Sequence, residues 1–391
     1  MKTAYIVKGY RTAITKSKRG GFRFTSPVDF GAEIINYLLS SVPSLDPSRV
    51  DDLIVGNAVS EAEQGLQMAR WIAVRSNLPL SVPGVTVNRY CGSGIETIAM
   101  ATAKIQSGMA DCIIAGGVES MSLVPTVGYK TVPNYTIATE HPDYFIGMGL
   151  TAEEVSTKYD VKRQEQDEFS YNSHQKALQA IESGKFKSEI APINIEEIYY
   201  DNGKRKKRNF VVETDEGPRR DTSLESLSSL KPAFKSGGIV TAGNSSQTSD
   251  GAAFVIVMSE NMVKELGLEP IARLVTCVSA GVNPRYMGIG PCEAVPKALK
   301  NSGLNLNDID LIELNEAFAA QSLAVIRKLN LDPAKVNPNG GAIALGHPLG
   351  CTGARLAITI SRELKERNKK YGLVTACIGG GQGIAAVIER M

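Results

Sequence analysis

Histidine is scarce in this chain: His141, His174 and His347 are the only three in 391 residues, beside one tryptophan and six scattered cysteines. No Cys-x-x-Cys pair and no His-Glu-x-x-His segment occurs, which leaves little from which to build a zinc site. The cysteines are too widely spaced to read as a disulfide framework. No apolar run approaches the ~18 residues of a membrane span. Residues 1–8 pass into a strand-like pattern with no apolar or amphipathic leader. We therefore expect a cytoplasmic protein with reduced thiols. An excess of either charge is missing too. The 43 basic and 41 acidic residues leave a net charge of +2, which argues against general adhesion to nucleic acid or to an acidic membrane. Any bound anion must be held by a local site.

Hydrophobic residues at 43% and charged residues at 21% are ordinary for a globular chain. At ~150 residues per domain the length implies two or three domains. Strand patterns at 4–7, 53–55, 85–87 and 112–115 alternate with helix patterns at 30–39 and 92–106. The far end repeats this, with strands at 311–314, 373–377 and 384–388 and helices at 317–329 and 353–365. Such alternation predicts α/β layers with largely parallel sheets. The two ends also match in order. Asp52-Leu-Ile-Val-Gly-Asn57 corresponds to Asp310-Leu-Ile-Glu-Leu-Asn315, and Val87-Asn88 before Cys91 to Val336-Asn337 before His347. Ile114-Ala-Gly116-Gly117 corresponds to Cys377-Ile-Gly379-Gly380, so a duplicated α/β half is expected. From about 119 to 243 the chain is polar and punctuated, with a helical stretch at 163–183. Its charge run Lys204-Arg-Lys-Lys-Arg208 reads as a solvated loop, or else as a steering patch for a phosphate-rich substrate.

Cys91 stands where a β-rich run meets a helix, in Val87-Asn-Arg-Tyr-Cys91-Gly-Ser-Gly94. Free N–H groups and the helix dipole at such a start favour the thiolate, the reactive form. A dipole worth ~0.3–1 kcal/mol lowers a thiol pKa of ~8.5 by less than about one unit, so a base is needed as well. On this segment alone a small packing cysteine accounts for Cys91 equally well. His347 is the candidate base, framed by glycines in Gly340-Gly-Ala-Ile-Ala-Leu-Gly-His347-Pro-Leu-Gly350, with Pro348 at a helix entry. His141 and His174 have no such frame and read as surface residues. Cys377 ends a strand before Ile378-Gly-Gly-Gly-Gln-Gly383, where backbone N–H groups can face an oxyanion. Gly381-Gln-Gly383-Ile-Ala-Ala386 matches G-x-G-x-x-A but lies too near Met391 for a dinucleotide unit, and no phosphate-loop motif occurs. Asn315 either caps a helix or presents a polar group at a strand end.

Taken together, Asn88-Arg-Tyr-Cys91-Gly-Ser-Gly94, Asn315-Glu-Ala-Phe318-Ala, Gly340 to Gly350 and Cys377-Ile-Gly-Gly-Gly381 resemble the thiolases over nearly the whole chain. The resemblance implies an α/β fold, a five-layered α/β/α/β/α duplication with an inserted loop domain. The halves would be 1–118 with 248–268, and 269–391, with the insert at 119–247 and the strand 252–258 returning to the first half. It implies two-step acyl transfer between coenzyme A thioesters, with no resident cofactor and no metal. Cys91 would attack the keto carbon of a 3-ketoacyl-CoA and keep the shortened acyl group as a thioester, which coenzyme A then removes. By the same likeness His347 activates the nucleophile, and Cys377 protonates the departing enolate. His347 with a water on Asn315 would form one oxyanion hole, and the N–H groups of Cys91 and Gly379 a second.

For coenzyme A the likeness points to Met148, Phe234, Ala242, Ser246 and Phe318, with Arg219 in the place of an adenine-stacking arginine. It also implies a homodimer or dimer of dimers, and a hydratase/dehydrogenase as a partner in fatty acid β-oxidation. One departure bears on substrate. Biosynthetic acetoacetyl-CoA thiolases have His-Met where this chain has Gly147-Met148. That favours the degradative type, an acetyl-CoA C-acyltransferase, over an acetyl-CoA C-acetyltransferase that condenses two acetyl-CoA. A non-catalytic acyl-CoA or lipid carrier on the same fold is the alternative of another class, against which the presence of Cys91, His347 and Cys377 together argues.

Overall fold

The computed structural model describes residues 2–391, and Met1 lies outside them. In chain order the strands are β1 (Ala4–Arg11), β2 (Thr15–Lys16), β3 (Asp52–Gly56), β4 (Gly84–Val87), β5 (Cys112–Ser120), β6 (Ile193–Asp201), β7 (Lys204–Val212), β8 (Ser249–Ser259), β9 (Ala272–Gly281), β10 (Leu311–Leu314), β11 (Tyr371–Ile378) and β12 (Gln382–Arg390). The helices are α1 (Pro27–Ser40), α2 (Met68–Arg75), α3 (Ser93–Gln106), α4 (Tyr135–Glu140), α5 (Met148–Lys158), α6 (Arg163–Glu182), α7 (Leu224–Ser228), α8 (Glu260–Glu265), α9 (Gly290–Ser302), α10 (Ala319–Leu329), α11 (Ala342–Leu345) and α12 (Leu349–Glu366). No helix among the described residues is long and apolar enough to cross a membrane.

A strand covered on both faces needs an unbroken apolar run, because successive side chains serve opposite layers. In β5 and β8 every residue is buried. Ile113, Val255 and Val374 enter a central core with α3 and α12, while Ile114 and Ile256 enter an outer core with α1 and α2. Leu373 and Val387 enter the opposite outer core, with α9 and α10. The layers are therefore helix, sheet, helix pair, sheet and helix, the five-layered α/β arrangement. The strands run β10-β11-β12-β9-β1-β8-β5-β3-β4, and the two halves of this path meet at one residue pair, Ile6 with Ala272.

On either side of that junction the construction repeats. β1 is antiparallel to β8, β8 to β5, and β5 is parallel to β3; β9 is antiparallel to β12, β12 to β11, and β11 is parallel to β10. The sheets are thus mixed rather than largely parallel. β11 returns as β12 through a short glycine turn, which only an antiparallel pair permits. The duplication also differs from the sequence match in register. Asp310 Oδ2 accepts the N–H groups of Lys370 at 2.9 Å and Tyr371 at 3.0 Å. Its equivalent is Asp51, whose Oδ2 accepts those of Asp111 at 2.7 Å and Cys112 at 2.9 Å, one residue before Asp52. Gly116, opposite Val55, consequently stands where the second half has Thr375, opposite Leu314, and not where it has Gly379.

Lys204 to Arg208 are solvated but are not a loop. They form β7, antiparallel to β6, with Lys206 paired to Asp201, Lys207 to Glu196 and Arg208 to Glu197. Cross-strand charge pairs make a strand of a run that lacks any apolar alternation. α12 begins at Leu349, a turn before the expected 353, so that His347 lies directly at its entry.

Candidate active site

β4 ends at Val87, and Asn88 builds the turn after it. Its Nδ2 donates to the Ala58 carbonyl at 2.9 Å, and its Oδ1 accepts the Tyr90 N–H at 2.9 Å. Tyr90 takes a φ of 42°, a left-handed conformation that a bulky residue adopts only when its surroundings enforce it. Ser93 helps to enforce it, accepting the Arg89 N–H at 2.9 Å and donating to the Tyr90 carbonyl at 2.7 Å. This strained turn presents Cys91 ahead of α3. The Cys91 sulfur is half-buried and faces its own N–H and that of Gly379. Cys377 is buried near the end of β11, close enough to Cys91 that charge on the one disfavours charge on the other.

His347 enters α12 from a buried turn, its N–H donating to the Gln247 carbonyl at 3.1 Å. Its Nε2 lies 3.2 Å from Asn315 Nδ2 and its Nδ1 2.7 Å from Thr352 Oγ1. Asn315 follows β10 and is fully buried, its N–H donating to the Thr375 carbonyl at 2.9 Å. Its Oδ1 has no protein partner, so an acceptor remains there for a further donor. The starts of α3 and α12 touch backbone to backbone. A Cβ on Gly94 would stand 2.8 Å from the Gly350 carbonyl oxygen, a gap that only glycine fits. The nucleophile segment and the histidine segment thereby converge.

Burial decides the charges. It pulls His347 down to about 3, with the Arg355 charge adding to the effect, so the imidazole is neutral near pH 7. Burial pushes the Cys91 thiol up to about 11 against the two N–H groups that favour the thiolate, and the Glu119 carboxylate pushes the same way. Burial raises Cys377 as well, and the neighbouring Cys91 adds to it. The expected thiolate-favouring effect of the helix start is thus outweighed. With a thiol near 11, only ~10⁻⁴ is ionised at pH 7, so proton removal has to accompany attack. A neutral imidazole on a segment that converges with that of two neutral thiols can serve to move protons between carbon, sulfur and nitrogen.

The other expected residues fall into two groups. Met148 begins α5, its sulfur 3.4 Å from where a Cβ on Gly379 would stand. It packs with Phe318 and Cys377 in one small apolar cluster, and the Phe234 ring stands edge-on to Phe318 at 6.1 Å. Ser246 donates its N–H to the Ala317 carbonyl at 3.0 Å, and Ala242 lies exposed in the preceding turn. Arg219 is exposed on the surface. Its N–H donates to His174 Nδ1 at 3.2 Å. His174 is therefore buried rather than a surface residue, held down to about 4 by burial and by the Arg219 charge. Sequence reasoning missed Thr352 and Glu119. The one signal for Glu119 is a carboxylate ending an otherwise uncharged strand; Thr352 has none.

Two family models match almost the whole chain, "Thiolase, N-terminal domain" over 4–261 and "Thiolase, C-terminal domain" over 268–390. A Bacillus subtilis protein named 3-ketoacyl-CoA thiolase is 51% identical over 391 residues, with all of both chains covered. The acetyl-CoA acetyltransferase of Escherichia coli K12 is 44% identical over 404 residues, again with all of both chains covered. Among solved structures, that of the Bacillus anthracis acetyl-CoA acetyltransferase matches with a TM-score of 0.91 and 39% identity, covering 100% of this chain and 99% of that one.

Proposed function

The chain belongs to the thiolase family, whose members act on coenzyme A thioesters and keep no resident cofactor, and from that premise we propose that this acyltransferase cleaves 3-ketoacyl-CoA through a thioester on Cys91. The observation that carries the proposal is the pairing of two buried-site thiols, Cys91 and Cys377, with the Gly379 N–H on the Cys91 sulfur. His347 Nε2 takes the Cys91 proton as the sulfur bonds to the keto carbon. The bond between that carbon and C2 then breaks, leaving the acyl group on Cys91 and acetyl-CoA as its enolate. Cys377 gives its proton to C2. In the second step the Cys377 thiolate takes the proton of the coenzyme A thiol, whose sulfur attacks the thioester and expels Cys91 as a thiolate, and protonated His347 returns its proton to Cys91.

Each step develops an oxyanion, for which preorganised donors are the main stabiliser. In our reading the N–H groups of Cys91 and Gly379 serve the thioester oxygen, and protonated His347 serves the other with a water held by Asn315. Coenzyme A would lie along Met148, Phe234, Phe318, Ala242 and Ser246, with Arg219 at its outer end. We place the insert at 119–247, the first half at 1–118 with 248–268, and the second half at 269–391. The reading further includes a cytoplasmic homo-oligomer working beside a hydratase/dehydrogenase in β-oxidation.

Direction is the finer question. The names acetyl-CoA acetyltransferase carried by the E. coli and B. anthracis relatives favour condensation of two acetyl-CoA. Two observations favour degradation: the higher identity to the B. subtilis 3-ketoacyl-CoA thiolase, and open space around Gly147, where a Cβ would meet nothing within 4 Å. The test is turnover of acetoacetyl-CoA against medium-chain 3-ketoacyl-CoA. Preference for the longer substrate supports thiolytic cleavage; equal or better use of acetoacetyl-CoA overturns it.

A further inference from the structure

Pro348, which enters α12, has no side-chain oxygen with which to cap it. The cap comes from the other half of the chain. Glu119, next to the last residue of β5, is 1% exposed. Its Oε2 accepts the Gly350 N–H at 2.8 Å and the Ala58 N–H at 2.8 Å. Its Oε1 accepts Gln64 Nε2 at 2.8 Å, Asn57 Nδ2 at 3.3 Å and the Val59 N–H at 3.4 Å. A buried carboxylate held by donors from separate segments is rigid, because each lost bond leaves a desolvated group behind.

Its two arms lead to the two reacting groups. Gly350 lies in the first turn of α12, just after His347. On the other arm, the Ala58 carbonyl accepts Asn88 Nδ2 at 2.9 Å, and Asn88 Oδ1 accepts the Tyr90 N–H at 2.9 Å, directly before Cys91. Asn57 N–H also donates to the Val87 carbonyl at 3.0 Å, fixing the same segment.

We propose that Glu119 is a positioning residue for acyl transfer: one carboxylate oxygen joins the turn that aims Cys91 to the helix start that aims His347. This rests on the roles given above to those two side chains. The Glu119 charge also faces the Cys91 sulfur and favours its protonated form; the other titratable groups there are Cys377 and Tyr90. Alignment and charge act together, since the nucleophile stays a thiol until the histidine is placed to take its proton.

Glu119→Gln keeps the shape but turns an NH₂ toward either the two backbone N–H groups on Oε2 or the three donors on Oε1, and so breaks the carboxylate anchor in either orientation. We expect the rate of acyl-enzyme formation to fall ~10–100-fold, as for a sub-ångström misalignment of reacting groups. KM for the acyl-CoA should hold nearly constant, and alkylation of Cys91 by iodoacetamide should shift to lower pH. A folded Glu119→Gln enzyme with wild-type rate and an unmoved alkylation profile would overturn the proposal. Should that variant fail to fold, Asn88→Asp decides. It keeps the acceptor for Tyr90 but sets a charged acceptor against the Ala58 carbonyl in place of the donor, so the rate should again fall with KM held, and an unchanged rate overturns the idea. Alkylation needs no acyl substrate. Wild-type Cys91 that alkylates normally but never takes up an acyl group would instead refute the thiolase reading of the site.

Discussion

His347 Nδ1 lies 2.7 Å from Thr352 Oγ1, one turn into the helix that the histidine introduces. The Thr352 hydroxyl has one hydrogen, and the network assigns it to the Pro348 carbonyl at 2.9 Å, which can only accept. Nδ1 therefore carries the imidazole proton and donates it to Oγ1. Nε2 keeps the lone pair, beside Asn315, and is the nitrogen that can take a proton from a thiol.

Thr352→Val should remove that assignment. A buried ring nitrogen left without its partner costs ~1–3 kcal/mol, so kcat should fall roughly 5- to 150-fold, with KM for the acyl-CoA little changed. Thr352→Ser keeps the hydroxyl and should restore most of the rate. Steady-state kinetics of the two variants check this, and a fully active valine variant would show that the tautomer is set elsewhere.

The two thiols should separate by the bond each one serves. Incubation of the wild type with an acyl-CoA should add one acyl mass to the peptide containing Cys91, and Cys91→Ala should lose both this mass and turnover. Cys377→Ala should still acquire the acyl mass, slowly. Its exchange of deuterium into the methyl group of acetyl-CoA should drop ~10²–10⁴-fold, the usual scale of a lost acid/base group. Mass spectrometry and NMR read the two outcomes, and the reverse pattern would exchange the roles of the cysteines.

Burial of the neutral histidine has a consequence for stability. His347 titrates near 3 in the folded chain against an unperturbed value of ~6.5, so between those values the unfolded chain binds more protons than the folded one. Stability must then rise with pH across that window and be fully present above ~6.5. His174, held to about 4, adds in the same direction. His347→Asn should flatten the slope of unfolding free energy against pH between ~4 and ~6 by up to one proton. Denaturation at several pH values measures it, and an unchanged slope would mean that His347 is not buried as a neutral base.

Much of this is legible in the sequence, for local reasons. The apolar core of β5 reads as a strand at 112–115 because both faces are covered, and the resemblance supplies the strand at 252–258 in β8. Glycines around His347 and after Cys377 mark close backbone approach wherever the chain folds. What could not be read depends on partners far away in sequence. Glu119 meets Gly350 across 231 positions, and nothing near either residue announces the contact. Strand sense and register failed similarly: Asp51, not Asp52, binds the start of the neighbouring strand, and only the hydrogen bonds distinguish two adjacent aspartates. β7 was hidden because its charged half is held by pairing with β6, and only Phe210 and Val212 at its far end reach the core.

Gly147 provides the sharpest test of substrate length. It precedes α5 with φ −62° and ψ 144°, an extended conformation open to any residue, so glycine is not required there by the backbone. Gly147 is exposed, the space in front of it is open to 4 Å, and Met148 beside it reaches toward Gly379. If that space takes the end of the acyl chain, each buried methylene contributes ~0.8 kcal/mol, roughly fourfold in binding. Two or three of them outweigh a lost polar contact worth ~0.5–1.5 kcal/mol. The wild type should then prefer medium-chain 3-ketoacyl-CoA over acetoacetyl-CoA by ~10-fold or more in kcat/KM. Gly147→His puts an imidazole into the open volume without backbone strain. It should cut kcat/KM for the medium-chain substrate by a similar factor and leave acetoacetyl-CoA within about threefold, because the short chain does not need the room. Equal losses on both substrates would place the acyl chain elsewhere and remove the argument that this position selects for length.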